Sequence, residues 1–156
     1  MKKAIETTSS LLVILLLASL FFAKGCKGTS GSDPSPEEQQ VTKLSKTWTV
    51  ESVTYGGSED RTADWSGFSL TVSSGKTYNT SGAFTPGPWA PSGSWDFAKD
   101  SSGNVNINKV VRDDGLEVSI SVSETALTMT FSFDDSQHKG GRTAAVNGEY
   151  VFKMKP

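Results

Sequence analysis

Apolar and polar side chains alternate strictly along two neighbouring segments in the second half of the chain. In the first segment, polar residues separate the apolar residues Leu116, Val118, Ile120 and Val122. In the second, polar residues separate Leu127, Met129, Phe131 and Phe133. Because successive side chains of a β-strand point to opposite faces, this period of two predicts two strands that each bury one face.

Six shorter segments carry the same alternation and complete a set of eight predicted strands. They run from Trp48 to Tyr55, from Phe68 to Val72, through Tyr78, from Trp95 to Phe97, from Val105 to Val110 and from Tyr150 to Met154. We expect an irregularity between Val50 and Val53, where the alternation slips by one residue. The segment Asp113-Asp114-Gly115 has the composition of a tight hairpin turn, because Asp and Gly tolerate positive φ.

The chain of 156 residues has the length of one domain, so we expect a single hydrophobic core. Short strands in series, with no helical period between them, are typical of an antiparallel meander that curls into a barrel or a two-layered sandwich. We predict an all-β fold, a single eight-stranded antiparallel up-and-down barrel, with the sandwich as the alternative. Trp48 and Trp95 are in step with the apolar face and should lie in the core. A short helical turn is expected between Glu38 and Ser45.

The first 25 residues have the layout of a bacterial export signal. Lys2 and Lys3 give a positive start, and Leu11–Ala23 is an apolar run of 13 residues that only Ser19 interrupts. A transmembrane helix needs about 20 apolar residues, so a signal peptide is the better interpretation of this run. We expect residues 1–25 to be removed from the mature protein.

Cys26 follows Ala23, Lys24 and Gly25 directly after the apolar run. This segment resembles the lipobox of bacterial lipoproteins, in which a small residue precedes a cysteine that is acylated and becomes the first mature residue. Cys26 is also the only cysteine in the chain, so it has no partner for an internal disulfide. The resemblance implies a lipid anchor on Cys26. The alternatives are an uncleaved anchor, or a cleaved signal with an incidental cysteine.

Residues 26–40 are rich in Gly, Ser, Pro and Glu and contain little to bury. We predict that they form a flexible tether between Cys26 and a β domain over residues 41–156. The lipobox resemblance implies that the lipid is the membrane contact and that it holds the domain in the cell envelope, at the outer membrane. The periplasmic and the surface face of that membrane are both left open.

Charge argues against a nucleic-acid partner. Cleavage before Cys26 would reduce the 15 basic and 17 acidic side chains to 12 and 16, a mildly acidic balance with no cluster of Lys or Arg. Nucleic-acid binding needs a basic face that displaces counterions from phosphates. We therefore exclude nucleic acid as a ligand.

Signals for catalysis or metal binding are weak. His138 is the only histidine, and it lies in the polar segment 134–141, which we predict to be a loop. A nucleophile that depends on histidine would need this one residue to be oriented by a buried carboxylate. The carboxylates of Asp113-Asp114 and Asp134-Asp135 do not follow the spacing of a calcium loop, and turn formation explains them. We expect no enzyme activity, no metal and no cofactor.

The segment Gly82–Gly93 is the most distinctive local feature, with three prolines and two aromatic residues. A rigid loop that presents Phe84 and Trp89 is a candidate lid over a barrel opening, or a stacking platform for a sugar. The alternative is that these rings fold back and close one end of the core. Trp65 and Tyr78 complete the predicted ligand-binding mouth, although Trp65 also fits a packing residue at the rim.

The ordered strand patterns resemble those of the lipocalin-like lipoproteins of Bacteroides-type Gram-negative bacteria. The matching segments are 44–48, 67–71, 93–97, 117–120, 127–131 and 148–152. The resemblance implies a calycin-like barrel behind a lipobox and a tether, with Trp48 closing one end. In lipocalins a Gly stands two residues before that Trp, and an Arg from the last strand lies above it. Lys46 and Lys153 stand at these places here.

These expectations predict a binding protein of the cell envelope. We expect a small apolar or amphipathic ligand inside the barrel, near Trp65, Tyr78, Phe84 and Trp89. The alternative is a structural or interaction module whose loops bind a protein or a glycan.

Overall fold

The computed structural model describes residues 33–82, 87–134 and 147–156. The chain divides into two compact units, Met1–Asp33 and Pro34–Pro156, and the elements described below belong to the second. The predicted signal peptide, Cys26 and most of the predicted tether lie outside the described residues. Phe84, Asp135 and His138 do so as well.

In the described ranges the second unit forms one α-helix, one 3₁₀ helix and nine strands. In chain order they are α1 (Pro36–Leu44), β1 (Thr47–Tyr55), β2 (Glu59–Asp60), the 3₁₀ helix (Thr62–Trp65), β3 (Ser69–Val72), β4 (Thr77–Ser81), β5 (Ser92–Lys99), β6 (Val105–Arg112), β7 (Glu117–Val122), β8 (Leu127–Phe133) and β9 (Gly148–Lys155). Neither of these helices is long and apolar enough to cross a bilayer.

The sheet closes on itself. Strands β3 to β9 pair with consecutive neighbours, all antiparallel, and β1 pairs with both β3 and β9. The ladder between β1 and β9 runs from Thr49 opposite Lys155 to Tyr55 opposite Tyr150. Since the first and last long strands are hydrogen-bonded to each other, β1 and β3–β9 form a closed barrel of eight strands. The predicted barrel is confirmed, and the sandwich alternative is excluded. The short strand β2 pairs only with the end of β1, and the sequence pattern did not predict it.

Alternate side chains of the barrel strands point into one apolar core, as the period of two predicted. Trp48 and Trp95 are both buried there, as expected. The irregularity expected in the first strand is a register shift between Val50 and Ser52 in the β1–β9 ladder. An extra residue at such a shift lets the strand bend, and it places both Val50 and Val53 against the core.

Local capping interactions start α1 at Pro36. The hydroxyl of Ser35 accepts a hydrogen bond from the backbone N–H of Glu38 at 3.2 Å, and the Glu38 carboxylate accepts one from the Ser35 N–H at 2.7 Å. This reciprocal capping box satisfies two donors that a helix start leaves free. The predicted helical turn is confirmed, but α1 takes in residues 36–40, which composition had assigned to the tether. Composition averages over a segment and does not register a cap.

α1 packs against β6 and β7, where the pairing of these two strands stops. Their ladder joins only 109–111 to 117–119. On β6 before this ladder, the backbone carbonyl of Ile107 accepts a hydrogen bond from Gln40 Nε2 of α1 at 3.1 Å. Leu44 at the end of α1 is buried in the core. The helix therefore covers the side of the barrel where strand pairing is missing.

A small cavity inside the barrel as the candidate functional site

A cavity of about 40 Å³ lies between α1 and strands β3 to β8. Its walls are largely aliphatic. The aliphatic lining includes Leu44, Leu70, Val110, Val118, Ile120 and Leu127. Four larger side chains with polar atoms also line it: Tyr78, Trp89, Trp95 and Arg112. The polar atoms of these four side chains contribute no accessible surface to the cavity, so a ligand would meet an apolar wall.

Arg112 is the buried charged residue at this cavity, and its side chain is only 2% exposed. Its Nη1 donates a hydrogen bond to the backbone carbonyl of Pro88 at 2.7 Å, and its Nη2 pairs with the Asp114 carboxylate. The guanidinium carbon lies 5.0 Å from the centre of the Trp89 ring and 5.4 Å from that of Tyr78. A buried charge is costly unless it is paired and hydrogen-bonded, and these contacts meet that requirement. The bond to Pro88 also fixes the segment that carries Trp89.

Sequence reasoning missed Arg112, although a signal for it was present. Arg112 follows Val110 by two residues on β6, so the alternation places it on the inward face. Asp114 follows Arg112 by two more residues, within the hairpin turn, and supplies the compensating charge. An arginine in phase with the apolar face of a strand therefore indicated a buried cation.

Three buried N–H groups at the cavity have no hydrogen-bond acceptor among the described residues. They are Trp89 Nε1, Trp95 Nε1 and Arg112 Nε. Trp95 and Arg112 stand directly opposite each other in the β5–β6 ladder, so their side chains start from neighbouring positions on the inward face. Leaving a buried donor unsatisfied costs about 1–3 kcal/mol, and the great majority of buried polar groups in proteins have a partner. These three donors belong to side chains that line the cavity, but the N–H atoms themselves are inaccessible and do not face its open space.

Trp89 separates the cavity from a cluster of aromatic rings that fills the neighbouring part of the barrel. The ring centre of Trp89 lies 5.7 Å from that of Phe68, 5.7 Å from that of Phe131 and 6.0 Å from that of Phe152. Trp65 packs on the far side of this cluster, with its ring centre 4.8 Å from that of Phe152. Burial raises the pKa of Tyr150, a further member of the cluster, to about 12. Aromatic pairs at such distances add to the stability that comes from area burial alone.

The structure brings two of the four predicted ligand-binding residues together. Tyr78 and Trp89 both line the cavity, and their ring centres are 6.1 Å apart. Trp65 is buried in the aromatic cluster and does not line the cavity. Phe84 lies outside the described residues. Tyr78 and Trp89 therefore contact each other in the interior of the barrel. The ligand-binding role of all four residues stays a prediction.

Two polar anchors hold α1 over the cavity. The first is the hydrogen bond from Gln40 to β6. The second is Lys76, whose Nζ lies 2.7 Å from Glu37 of α1 and 2.7 Å from Asp96 of β5. Hydrogen bonding to Asp96 and then to Glu37 raises the pKa of Lys76, and Lys76 in turn lowers the pKa of Asp96. The helix is thereby tied to two separate parts of the barrel.

Trp48 of β1 is fully buried and is joined to the last residue of α1. Its Nε1 donates a hydrogen bond to the Leu44 carbonyl at 2.9 Å. The cation above its ring is Lys46, with Nζ 5.2 Å from the ring centre. Lys153 of the last strand is exposed instead. The basic residue near this tryptophan therefore comes from the segment just before β1.

The acidic residues of the β6–β7 turn have structural partners. Asp113 accepts a hydrogen bond from the Ser94 N–H at 3.0 Å, and Asp114 accepts one from the Leu116 N–H at 3.2 Å. Gly115 adopts a φ of +88°, which confirms the predicted turn. Across the described ranges, no group of three or more His, Cys, Asp or Glu side chains is placed to hold a metal ion.

Comparisons of the chain with protein-family models, with curated proteins and with solved structures find no match. The cavity and the barrel around it are therefore interpreted from their own geometry.

Proposed function

We propose that this protein binds a small apolar or amphipathic molecule inside its barrel. The observation that carries the proposal is the cavity of about 40 Å³, which is lined by aliphatic and aromatic side chains. Transfer of an apolar group from water into such a site is favourable by about 0.8 kcal/mol for each buried CH₂.

The size of the cavity limits the ligand. An engineered apolar cavity of about 150 Å³ in another protein binds benzene or xenon, and a single water needs roughly 10–15 Å³. The cavity described here lies between these values. The cavity thus suits a molecule of only a few non-hydrogen atoms.

The proposal includes a location in the cell envelope. The export signal over residues 1–25 and the lipobox-like segment before Cys26 support a protein that is secreted and held at a membrane by its acylated cysteine. The segment between Cys26 and the helix cap at Ser35 would then give the barrel a short reach from the membrane surface.

Xenon is the probe that tests the cavity most directly, because it is apolar and compact. Xenon added to the protein should shift the methyl NMR signals of Leu70, Val118 and Ile120 and leave methyl signals on the outer face unchanged. Val110→Leu should weaken xenon binding because it adds a methylene to the cavity wall. The matched control is Val151→Leu on the partly exposed face of β9, which should leave binding unchanged. Unchanged methyl signals under xenon would contradict the proposal.

Native mass spectrometry of the protein from its own cells tests the remaining parts together. A retained ligand would add mass to the barrel, and acylation would add mass at Cys26. Mature protein with an intact residue 1, or with an unmodified Cys26, would contradict the lipid anchor without bearing on the cavity.

No described contact favours the alternative of a loop that binds a protein or a glycan. That alternative depends on Phe84 and Trp89 as exposed platforms, and Trp89 is only 5% exposed. Its indole faces the guanidinium of Arg112 and the aromatic cluster, so it offers no free surface for stacking.

A further inference from the structure

We infer that the group that occupies the barrel cavity is a small hydrocarbon group without any hydrogen-bonding atom, and that the cavity rejects a polar molecule of the same shape. This inference rests on the proposed function and narrows the chemical class of its ligand. An amphipathic ligand would therefore leave its polar end outside the cavity.

The first step of the argument is that no polar atom reaches the surface of the cavity. The accessible surface of the cavity is wholly apolar. Polar side chains do belong to the lining, but Trp89 Nε1, Trp95 Nε1 and Arg112 Nε are buried atoms that a solvent molecule does not reach. An oxygen or nitrogen atom of a ligand would therefore have no hydrogen-bond partner on this surface.

The second step is that the charged side chain in the lining is engaged elsewhere. Arg112 donates a hydrogen bond from Nη1 to the Pro88 carbonyl at 2.7 Å, and its Nη2 pairs with the Asp114 carboxylate. Its guanidinium carbon lies 5.0 Å from the centre of the Trp89 ring and 5.4 Å from that of Tyr78. The charge is thus balanced by Asp114 and packed against aromatic rings, so it offers no contact to a polar ligand.

The third step is that neither the backbone nor a water molecule can supply the missing partner. Lining residues lie on strands that pair within the barrel wall, with Val110 opposite Val118 and Ile120 opposite Met129. Hydrogen bonds between strands lie within the sheet, whereas the side chains point away from it into the interior. A buried water needs about three polar partners of its own, and this surface provides none.

Propane, ethanol and dimethyl ether form a matched series of probes, because each has three non-hydrogen atoms in a similar shape. Ethanol adds a hydroxyl group, and dimethyl ether adds an oxygen that only accepts hydrogen bonds. A polar group that enters the cavity loses its hydrogen bonds to water, and nothing replaces them. We therefore expect propane to bind at least about tenfold more tightly than either polar probe.

Titrations followed by the methyl NMR signals of Leu70, Val118 and Ile120 measure the three dissociation constants. All three residues line the cavity, so their signals report binding there. The methyl signals of Val151, on the partly exposed face of β9, report the general effect of each probe on the solvent and serve as the reference.

Val118→Thr replaces one methyl group of the cavity wall with a hydroxyl group of similar size. It should reduce the preference for propane over ethanol several-fold, because the hydroxyl can donate and accept a hydrogen bond. The matched control Val151→Thr makes the same change outside the cavity and should keep the full preference. Thermal unfolding shows that each variant is folded before its binding is measured. The probe series on the unchanged protein tests the inference even if Val118→Thr does not fold.

The outcomes separate this inference from the proposed function. Ethanol or dimethyl ether that binds as tightly as propane would overturn the inference and leave a cavity that still binds small molecules. An unchanged preference in folded Val118→Thr would contradict the role of the apolar wall. If neither xenon nor propane shifted the methyl signals of the cavity, the proposed function itself would fail.

Discussion

Replacing Arg112 with Met tests whether a buried, paired charge organises the interior of this barrel. The Met side chain is unbranched and has a similar reach, but it removes the charge and the donors to Pro88 and Asp114. Loss of one partner of a buried ion pair costs about 3–5 kcal/mol, because the other charge stays behind. The Asp114 side chain is 20% exposed, so water recovers part of its solvation. We therefore expect the free energy of unfolding to fall by about 3 kcal/mol.

Urea unfolding followed by tryptophan fluorescence at pH 7 measures this loss, and the slope of the transition shows whether unfolding stays two-state. Lys109→Met is the matched control on the same strand. Its partner is Glu117 at 2.8 Å, but the two side chains are 37% and 60% exposed. An exposed pair contributes at most about 1 kcal/mol, so the control should change stability by less than that.

The double variant Arg112→Met with Asp114→Asn identifies the cause of the loss. An amide in place of the orphaned carboxylate should recover part of the stability, because the uncompensated charge is gone. Equal losses for Arg112→Met and Lys109→Met would refute the buried ion pair. A full loss with no recovery in the double variant would assign the effect to packing against the Trp89 and Tyr78 rings.

Three further predictions concern the contacts around the cavity. Gln40→Ala removes the donor to β6 and should lower the free energy of unfolding by about 1–3 kcal/mol. The exposed control Gln39→Ala should lower it by less than about 0.5 kcal/mol. Equal losses for the two variants would contradict the docking of α1. Gly93→Ala should lower the free energy of unfolding in urea by about 1–3 kcal/mol. The added Cβ would lie 2.7 Å from the ring of Tyr78 on β4. Gly75→Ala, whose nearest atom is 3.8 Å away, is the control, and an equal loss there would contradict the clash. Since the pKa of Tyr150 is about 12 when folded and 10.0 ordinarily, the unfolded chain loses that proton first. Thermal stability should therefore be unaffected by this group below pH 10 and fall between about pH 10 and 12, and a fall of the same size in Tyr150→Phe would refute the assignment.

The candidate site was only partly predictable from the sequence. Tyr78 and Trp89 were singled out for their residue types, and both line the cavity. Trp65 was grouped with them because it lies near a turn, yet it packs against Phe152, which is far away along the chain. Arg112 could have been placed on the inward face by its spacing from Val110, but its contact with the Pro88 carbonyl joins residues 24 positions apart. Sequence spacing carries no information about such a contact.

The strands and turns of this protein were determined by the sequence itself, because a period of two and a capping residue act on neighbouring residues. The eight barrel strands, the inward positions of Trp48 and Trp95 and the turn at Gly115 are of this kind. Closure of the barrel was decided only by tertiary structure, since β1 must pair with β9, about 100 residues later in the chain. The same holds for the cavity, because its volume is what remains when side chains from α1 and six strands fail to fill the space between them.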